Sequence, residues 1–193
     1  MLFGWFCGRN VVARQVRDGG TDCHCSLQPQ WPVLFESEKR RLLALFDGVN
    51  VAVEHIGSTA VDGLRSKPII DIMLGVERLS EVEQRLASIE QLGYHYIAEL
   101  ESEIPERRFF IKRGAGKPRT HHLHAVDLSS DFRRDHLLFR DVLRSHPETA
   151  SKYCQLKVSL AQHYRDDRKA YVSAKSAFIG EVLARKRRHE GPR

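Results

Sequence analysis

The spacing of apolar residues along the chain predicts five helices. The first covers about 33–46. The second covers 81–92, with Ser80 and Glu83 as a capping box at its start and Gly93 as its stop. Three more lie in the C-terminal half: one over 131–145, one beginning at Pro147, and a last one with a stripe formed by Tyr171, Ala174, Phe178 and Val182.

Alternating or continuous apolar runs between these helices predict strands. They cover about 49–56, 68–76, 94–97, 107–113 and 120–128. The last two strands flank a glycine-rich loop and are predicted to form a hairpin. The run at 68–76 is apolar except for Asp71, which is typical of a central strand buried on both faces. The predicted fold class is therefore α/β (α+β), a small mixed sheet with a helical C-terminal half.

The composition fits one compact soluble domain, because the 193 residues are 41% hydrophobic and 29% charged. The net charge is +6, yet residues 1–150 carry 20 basic and 21 acidic side chains, whereas 151–193 carry 11 and 4. The basic run at 185–188 favours a solvated helix end over a polyanion contact. We therefore expect no nucleic-acid partner. We expect no membrane association either, since no apolar run approaches the roughly 18–20 residues that a span needs.

The first 26 residues show neither helical nor strand periodicity, so we expect a flexible N-terminal extension over 1–26. The ordered domain is expected over 27–188, with a short tail over 189–193. The apolar opening is short and lacks a preceding basic region, which argues against a secretory signal and favours a cytoplasmic location. The cysteines at 7, 23, 25 and 154 lack the paired spacing of a metal site and are expected to be reduced thiols.

The most informative stretch joins the strand at 49–56 to the strand at 68–76. Gly57, Ser58 and Thr59 form a tight turn whose backbone N–H groups suit a phosphate, because glycine allows close approach. Asp71 follows on the next strand, and a carboxylate in an apolar strand is costly unless it is paired or metal-bound. The sequence therefore predicts a phosphate site at the turn and Mg²⁺ or another divalent metal at Asp71.

Several separated motifs, in order, resemble the GrpB family. They are Pro29-Gln30-Trp31-Pro32-Val33-Leu34-Phe35, Glu54-His55-Ile56-Gly57-Ser58-Thr59-Ala60-Val61, Lys67-Pro68-Ile69-Ile70-Asp71-Ile72, Arg108-Phe109-Phe110, Thr120-His121-His122-Leu123-His124, Phe139-Arg140-Asp141 and Tyr171-Val172-Ser173-Ala174-Lys175. The resemblance covers about residues 27–188 and implies a nucleotidyltransferase-type core. Gly57 and Ser58 then match the Gly-Ser motif of that superfold and Asp71 its first metal carboxylate. Met73 stands where active members carry a second carboxylate.

Two histidines are candidate partners for Asp71. Alternation along the strand places His122, His124 and Val126 on one face, and His121 and Leu123 on the other. The first pair is predicted either to complete a mononuclear metal site with Asp71 or to contact phosphate as imidazolium. The alternative is one hydrogen-bonded core histidine and one surface histidine.

Further candidates flank this centre. Glu54, a catalytic candidate beside Asp71, and His55 point to opposite faces of their strand, so at most one of them joins the site. Lys67, Arg108 and Lys112 are predicted phosphate contacts, with surface roles as the alternative. Arg108 and Lys112 share one face of their strand, whereas Arg107 shares the other with Phe109.

The resemblance and the residues together favour binding of a nucleotide or a CoA-like phosphate compound with a divalent metal. Metal-dependent transfer of a nucleotidyl group is the reaction that such a site would serve. The alternative is a non-catalytic accessory domain associated with CoA biosynthesis, because relatives of the family occur fused to dephospho-CoA kinases. The phosphate-binding motif of such a kinase is absent from this sequence. Neither enzymatic activity nor the oligomeric state follows from these patterns.

Overall fold

The fold is that of a computed structural model, which describes residues 30–190 except the side chains of Arg168, His189 and Glu190. The predicted extension over 1–26 lies outside the described residues. The strands are β1 Val51–Ile56, β2 Ile70–Val76, β3 Tyr94–Tyr96, β4 Arg107–Arg113 and β5 Arg119–Asp127. The α-helices are α1 Trp31–Leu43, α2 Ser80–Glu83, α3 Leu86–Gln91, α4 Asp131–Ser145, α5 Pro147–His163 and α6 Arg168–Glu190, and short 3₁₀ helices cover Ala44–Phe46, Ser58–Ala60 and Ala98–Ser102.

The five strands form one mixed sheet in the order β1-β2-β5-β4-β3. Only the pair of β2 and β5 is parallel, and the other three pairs are antiparallel. The predicted mixed sheet with a helical C-terminal half is thereby confirmed. No helix within residues 30–190 is long and apolar enough to cross a membrane.

One face of the sheet packs on the largest core. Ile72, Leu74 and Leu123 are fully buried there, beneath helices α1 to α3. Burying a side chain of this kind stabilises the fold by roughly 1.5–3 kcal/mol. The opposite face carries a smaller cluster of Ile56, Met73 and Val126. The predicted alternation along β5 is confirmed, because Leu123 and Val126 belong to different clusters.

The C-terminal helices build a core of their own. Phe139 on α4, Tyr153 on α5 and Ile179 on α6 pack together with Val61 and Leu64 from the loop after β1. The turn that follows β1 is therefore held between the sheet and the helical half. This arrangement brings Phe132 and His136 of α4 against His124 on the face of the sheet that carries Asp71, and Lys157 of α5 against Ser58.

The predicted helix over 81–92 and its capping box are wrong. Two short helices, α2 and α3, replace it, and the break falls at Arg85, whose φ of −113° and ψ of 12° leave the helical region. Ser80 lies inside α2 and its side chain makes no capping hydrogen bond. Burial of Val82 and Ile89 therefore positions these helices without help from Ser80. Gly93, with a φ of +92°, follows α3 as predicted.

Helix α4, unlike α2, has a side-chain cap at its start. The Ser130 Oγ accepts a hydrogen bond from the backbone N–H of Arg133 at 3.2 Å. We expect Ser130→Ala to lower the free energy of unfolding by about 0.5–2 kcal/mol, the usual cost of losing an N-cap. Ser80→Ala is the control and is expected to change it by less than about 0.5 kcal/mol. Urea titrations of both variants check this, and equal effects would contradict the assignment of the caps.

Candidate functional site

Three side chains of the two central strands converge on one face of the sheet. The ligand atoms of Asp71, His122 and His124 all lie within 4.8 Å of one another. The parallel register of β2 and β5 pairs Asp71 with His122 and Met73 with His124, which sets these side chains side by side. The strand positions are fixed by the buried residues between them, so the sheet itself builds the cluster. We call these three residues the central cluster.

Asp71 and His122 form a hydrogen-bonded pair. His122 Nδ1 lies 2.9 Å from Asp71 Oδ1, and both side chains are about one-fifth exposed, at 21% and 22%. Because a carboxylate oxygen accepts, His122 Nδ1 carries the proton and donates it. In the neutral imidazole the other ring nitrogen, His122 Nε2, carries a lone pair. This nitrogen is buried and meets no hydrogen-bond partner among the described residues.

His124 is buried and electrically neutral. Burial, and next the positive charge of Arg107, hold the pKa of His124 well below its ordinary value. Its Nδ1 lies 3.5 Å from Arg107 Nη1. Phe109 packs against both histidines, with its ring centroid 5.4 Å from that of His122 and 4.9 Å from that of His124. A neutral imidazole is the form that binds metals.

The turn after β1 lies in close contact with the side chain of Asp71. Gly57 has a φ of +72°, and a Cβ built on it would lie 2.3 Å from Asp71 Oδ2. Only glycine fits this place, because any side chain would collide with the carboxylate and adopt a strained backbone conformation. The two carboxylate oxygens therefore have different neighbours: Oδ1 faces His122, and Oδ2 faces the Gly57 turn.

Helices α4 and α5 close the site from the other side. His136 on α4 donates from Nδ1 to the Phe132 carbonyl oxygen at 2.7 Å, and burial lowers the pKa of His136 to about 4. Its ring centroid lies 6.4 Å from that of His124. Lys157 on α5 donates to Ser58 Oγ at 3.0 Å. His136 therefore lies next to His124 of the central cluster, and the ammonium group of Lys157 lies at the neighbouring turn.

The sequence matches the model of a known protein family. The model of the GrpB protein matches residues 25–185. The chain belongs to the GrpB family. The crystal structure of conserved protein GrpB from Enterococcus faecalis has the same fold, with a TM-score of 0.71, 34% identity, and coverage of 82% of this chain and 96% of that one.

Similar sequences include a UPF0157 protein of Pseudomonas aeruginosa, 38% identical over 81% of this chain and 64% of that protein. The glutamate-rich protein GrpB of Alkalihalophilus pseudofirmus is 33% identical over 79% of this chain and 88% of its own length. A dephospho-CoA kinase of Mycolicibacterium paratuberculosis is 26% identical over 81% of this chain and 44% of that enzyme. The match therefore spans less than two-thirds of some relatives, including the Pseudomonas protein.

This GrpB-family chain brings together some of the predicted site residues. Gly57 lies against Asp71, and Ser58, the next residue of the turn, accepts a hydrogen bond from Lys157. Glu54 shares the face of Asp71, because it pairs with Met73 across β1 and β2, and this settles which of Glu54 and His55 lies on that face. Its Oε2 accepts from Arg133 Nη2 at 2.7 Å, and Glu54 is not part of the central cluster.

Two other predicted contacts, Thr59 and Lys67, are not part of the central cluster. Thr59 Oγ1 donates to the Ile69 carbonyl oxygen and lies 3.0 Å from His55 Nε2, so this hydroxyl is engaged within the turn. Lys67 is exposed. Cys154, expected to be a reduced thiol, is a free cysteine that is half-buried and packs against the core of the helical half.

Arg108 and Lys112 are not brought to Asp71, which corrects their expected placement. The register of β4 on β5 pairs Arg108 with Ala125 and Lys112 with His121, which are residues of the opposite face. Arg108 forms ion pairs with Glu83 at 2.7 Å and Glu101 at 3.4 Å, while Lys112 binds Glu38 at 2.7 Å. Carboxylates already satisfy both cations, and the sheet separates them from the central cluster.

The sequence interpretation missed two cations that do lie at the site. Arg107, one residue before Arg108, faces His124 because β4 pairs Phe109 with His124. Lys157 interrupts the apolar stripe of α5 four residues after Tyr153, and it is 7% exposed. The signal for each was a charge on an otherwise apolar face, as for Asp71. Reading it required the strand register and the helix packing.

A separate groove lies on the other side of the Ser58–Ala60 turn. It has a volume of about 830 Å³ and lies between α1, α4 and α5. His55 and Thr59 line it, but none of the three residues of the central cluster does. Its size suits a small molecule. The converging donor atoms, however, place the candidate chemistry at the central cluster.

The contact between Gly57 and Asp71 leads to a stability prediction. We expect Gly57→Ala to lower the free energy of unfolding by about 2–4 kcal/mol, because it adds a steric collision to the cost of a positive φ. Gly63→Ala is the matched control, since Gly63 has a φ of +74° and open space around it. The control should lose only about 1–2 kcal/mol. Denaturant titration measures both, and equal losses would show that Asp71 does not crowd the turn.

Proposed function

We propose that the central cluster binds a divalent metal ion and that the adjoining Gly57–Ser58 turn receives a phosphate-bearing ligand, a nucleotide or a CoA-like compound. The observation that carries this proposal is the buried ring nitrogen His122 Nε2, which has no hydrogen-bond partner among the described residues. A buried polar atom without a partner is costly, and a metal ion would satisfy it. Hydrogen bonding of His122 Nδ1 to Asp71 is also the usual way to orient a ligating histidine.

The donor set favours a transition metal over Mg²⁺. Two imidazoles and one carboxylate suit Zn²⁺, Fe²⁺ or Mn²⁺, whereas Mg²⁺ prefers oxygen ligands alone. Arg107 lies beside His124 Nδ1 and disfavours a cation there. We therefore assign the main share of binding to Asp71 and His122, with His124 as the third ligand.

A bound metal of this kind would act as a Lewis acid toward a phosphate oxygen. The residues of the chain have separate tasks: Asp71 fixes the orientation of His122, and the glycine turn leaves room for a ligand oxygen next to the carboxylate. Backbone N–H groups of the turn would hold the phosphate. Transfer of a nucleotidyl group is the reaction that this arrangement would serve.

A non-catalytic accessory role is the second candidate. Met73 stands at the position of a second carboxylate and is fully buried with Ile56 and Val126. The carboxylate of Glu54 is hydrogen-bonded to Arg133, so Glu54 does not supply a free carboxylate beside Asp71 either. Two-metal transfer requires several bridging carboxylates. The similarity to a dephospho-CoA kinase, which this chain matches over 44% of that enzyme, points to CoA biosynthesis as the setting of such a role. Ligand binding without turnover would favour this candidate.

Metal binding is tested by substituting two proposed ligands, with substitutions of nearby residues as controls. We expect titration calorimetry with Mn²⁺ and Zn²⁺ to detect one site, and Asp71→Asn and His122→Ala to weaken it by at least about 10- to 100-fold. His121→Ala is the control for His122 because His121 is the adjacent residue on the opposite face of β5. Asp62→Asn, on the exposed loop after the turn, is the control for Asp71. Absence of metal binding, or equal losses in the controls, would contradict the proposal.

A further inference from the structure

The groove between α1, α4 and α5 is lined by buried apolar side chains and one buried imidazole. Phe35, Val61, Leu64 and Leu143 line it and are each at most 6% exposed. His55 also lines the groove and is 7% exposed. In a pocket of this kind the apolar walls give the shape, and a few polar atoms decide which ligand fits. The chemistry of the groove therefore depends on the His55 ring.

The hydrogen bonds of Thr59 fix the position of the proton on His55. Thr59 Oγ1 donates to the Ile69 carbonyl oxygen at 3.2 Å and lies 3.0 Å from His55 Nε2. A hydroxyl group has one proton to donate, so Nε2 carries the ring proton and donates it to Thr59. Burial lowers the pKa of His55 to about 4, which keeps the ring neutral at pH 7. His55 Nδ1 is therefore an acceptor with a lone pair.

His55 Nδ1 is open to the groove and held in a fixed position. Within the described residues, the hydrogen bond of the ring is made through Nε2. Nδ1 is not among the fully enclosed atoms, unlike His122 Nε2, so it reaches the groove that His55 lines. Phe35 stacks on the ring with centroids 4.7 Å apart and planes 10° apart, and Arg140 Nη1 donates to the His55 carbonyl oxygen at 3.0 Å. An acceptor fixed in advance lowers the cost of binding a ligand.

The charged side chains along the groove balance each other. Glu36, Asp62, Arg65 and Arg144 line it, and all four residues are exposed. Neither sign of charge prevails, so these side chains do not favour an anion over a cation. The lone pair of His55 Nδ1 repels a carboxylate or phosphate oxygen placed next to it and attracts an N–H group. The groove therefore complements a neutral ligand that carries a donor on an apolar body.

We infer that this groove is a second ligand site, which binds a neutral heteroaromatic compound through an N–H group at the edge of its ring, as a purine base offers. The N–H group donates to His55 Nδ1, and the ring faces contact apolar walls such as Leu64 and Leu143. A rigid ring loses less conformational freedom on binding than a flexible chain does. The groove volume of about 830 Å³ lies within the range of small-molecule sites. No metal takes part, so this site is independent of the central cluster.

Calorimetry with adenosine and purine riboside, in the absence of divalent metal, tests this site. The two nucleosides differ in the exocyclic amino group, an N–H donor that adenosine alone carries. We expect the wild-type protein to bind adenosine about 3- to 10-fold more tightly, the usual contribution of one neutral hydrogen bond. His55→Gln should bring the two affinities within about twofold, because the glutamine amide can donate to Thr59 but leaves no acceptor at the position of Nδ1. His95→Gln, the same substitution at an exposed position of β3, is the control and should keep the wild-type ratio.

Ser151→Phe tests where the nucleosides bind and does not depend on the folding of His55→Gln. Ser151 lines the groove at an exposed position of α5, so a phenylalanine ring occupies the groove without entering the core. We expect both nucleosides to bind at least about 10-fold more weakly. Lys152→Phe, at the next exposed position of α5 and outside the groove lining, is the control. Mn²⁺ affinity should stay within about twofold in Ser151→Phe, because the central cluster is unchanged.

Four results would overturn the inference. If the wild-type protein binds neither nucleoside, the groove is not such a site, and the metal proposal is unaffected. Equal wild-type affinities for the two nucleosides remove the role of the N–H donor. A wild-type preference for adenosine in His55→Gln removes the role of His55 Nδ1. Wild-type affinity in Ser151→Phe shows that the nucleosides bind outside the groove.

Discussion

The close approach of the Gly57 turn to the Asp71 carboxylate is the constraint on which the site depends. It requires glycine at position 57, directs one carboxylate oxygen toward the turn, and leaves the other for His122. An isolated carboxylate on a strand that is otherwise buried would be strongly destabilising. The hydrogen bond to His122 reduces that cost, but it transfers the unsatisfied position to His122 Nε2. The same contact thus explains the local backbone, and His122 Nε2 has no hydrogen-bond partner among the described residues.

The sheet separates the basic side chains near this contact into two groups, one on each of its faces. Arg108 and Lys112 lie on one face, where glutamates neutralise them. Arg107 and Lys157 lie on the other, near a single aspartate and three histidines of which His124 and His136 have a lowered pKa. The face that carries Asp71 therefore combines metal-type donors with positive charge, a combination that suits an anionic ligand bound through a cation. The separation of Arg107 from Arg108 and Lys112 follows from strand register, since adjacent residues of β4 point to opposite faces, whereas Lys157 is placed by α5.

Much of this fold could be predicted from periodicity. The strand over 68–76 and the faces of His122 and His124 follow from patterns that the core enforces directly. The helix over 81–92 could not be predicted, because its break at Arg85 reflects packing of Val82 and Ile89 rather than a glycine or proline. The contacts of Arg107 and Lys157 depend on which strand and helix lie opposite them, and no local pattern specifies that. Ser80 shows the limit of a capping motif, since tertiary packing placed it within the helix.

Anomalous diffraction from crystals grown with Mn²⁺ tests the central claim most directly, because it locates the ion without reference to affinity or activity. The account predicts one strong peak within about 2.0–2.3 Å of ligand atoms from the central cluster, including His122. Occupied Mn²⁺ sites elsewhere, with His122 Nε2 still facing no ion, would contradict it.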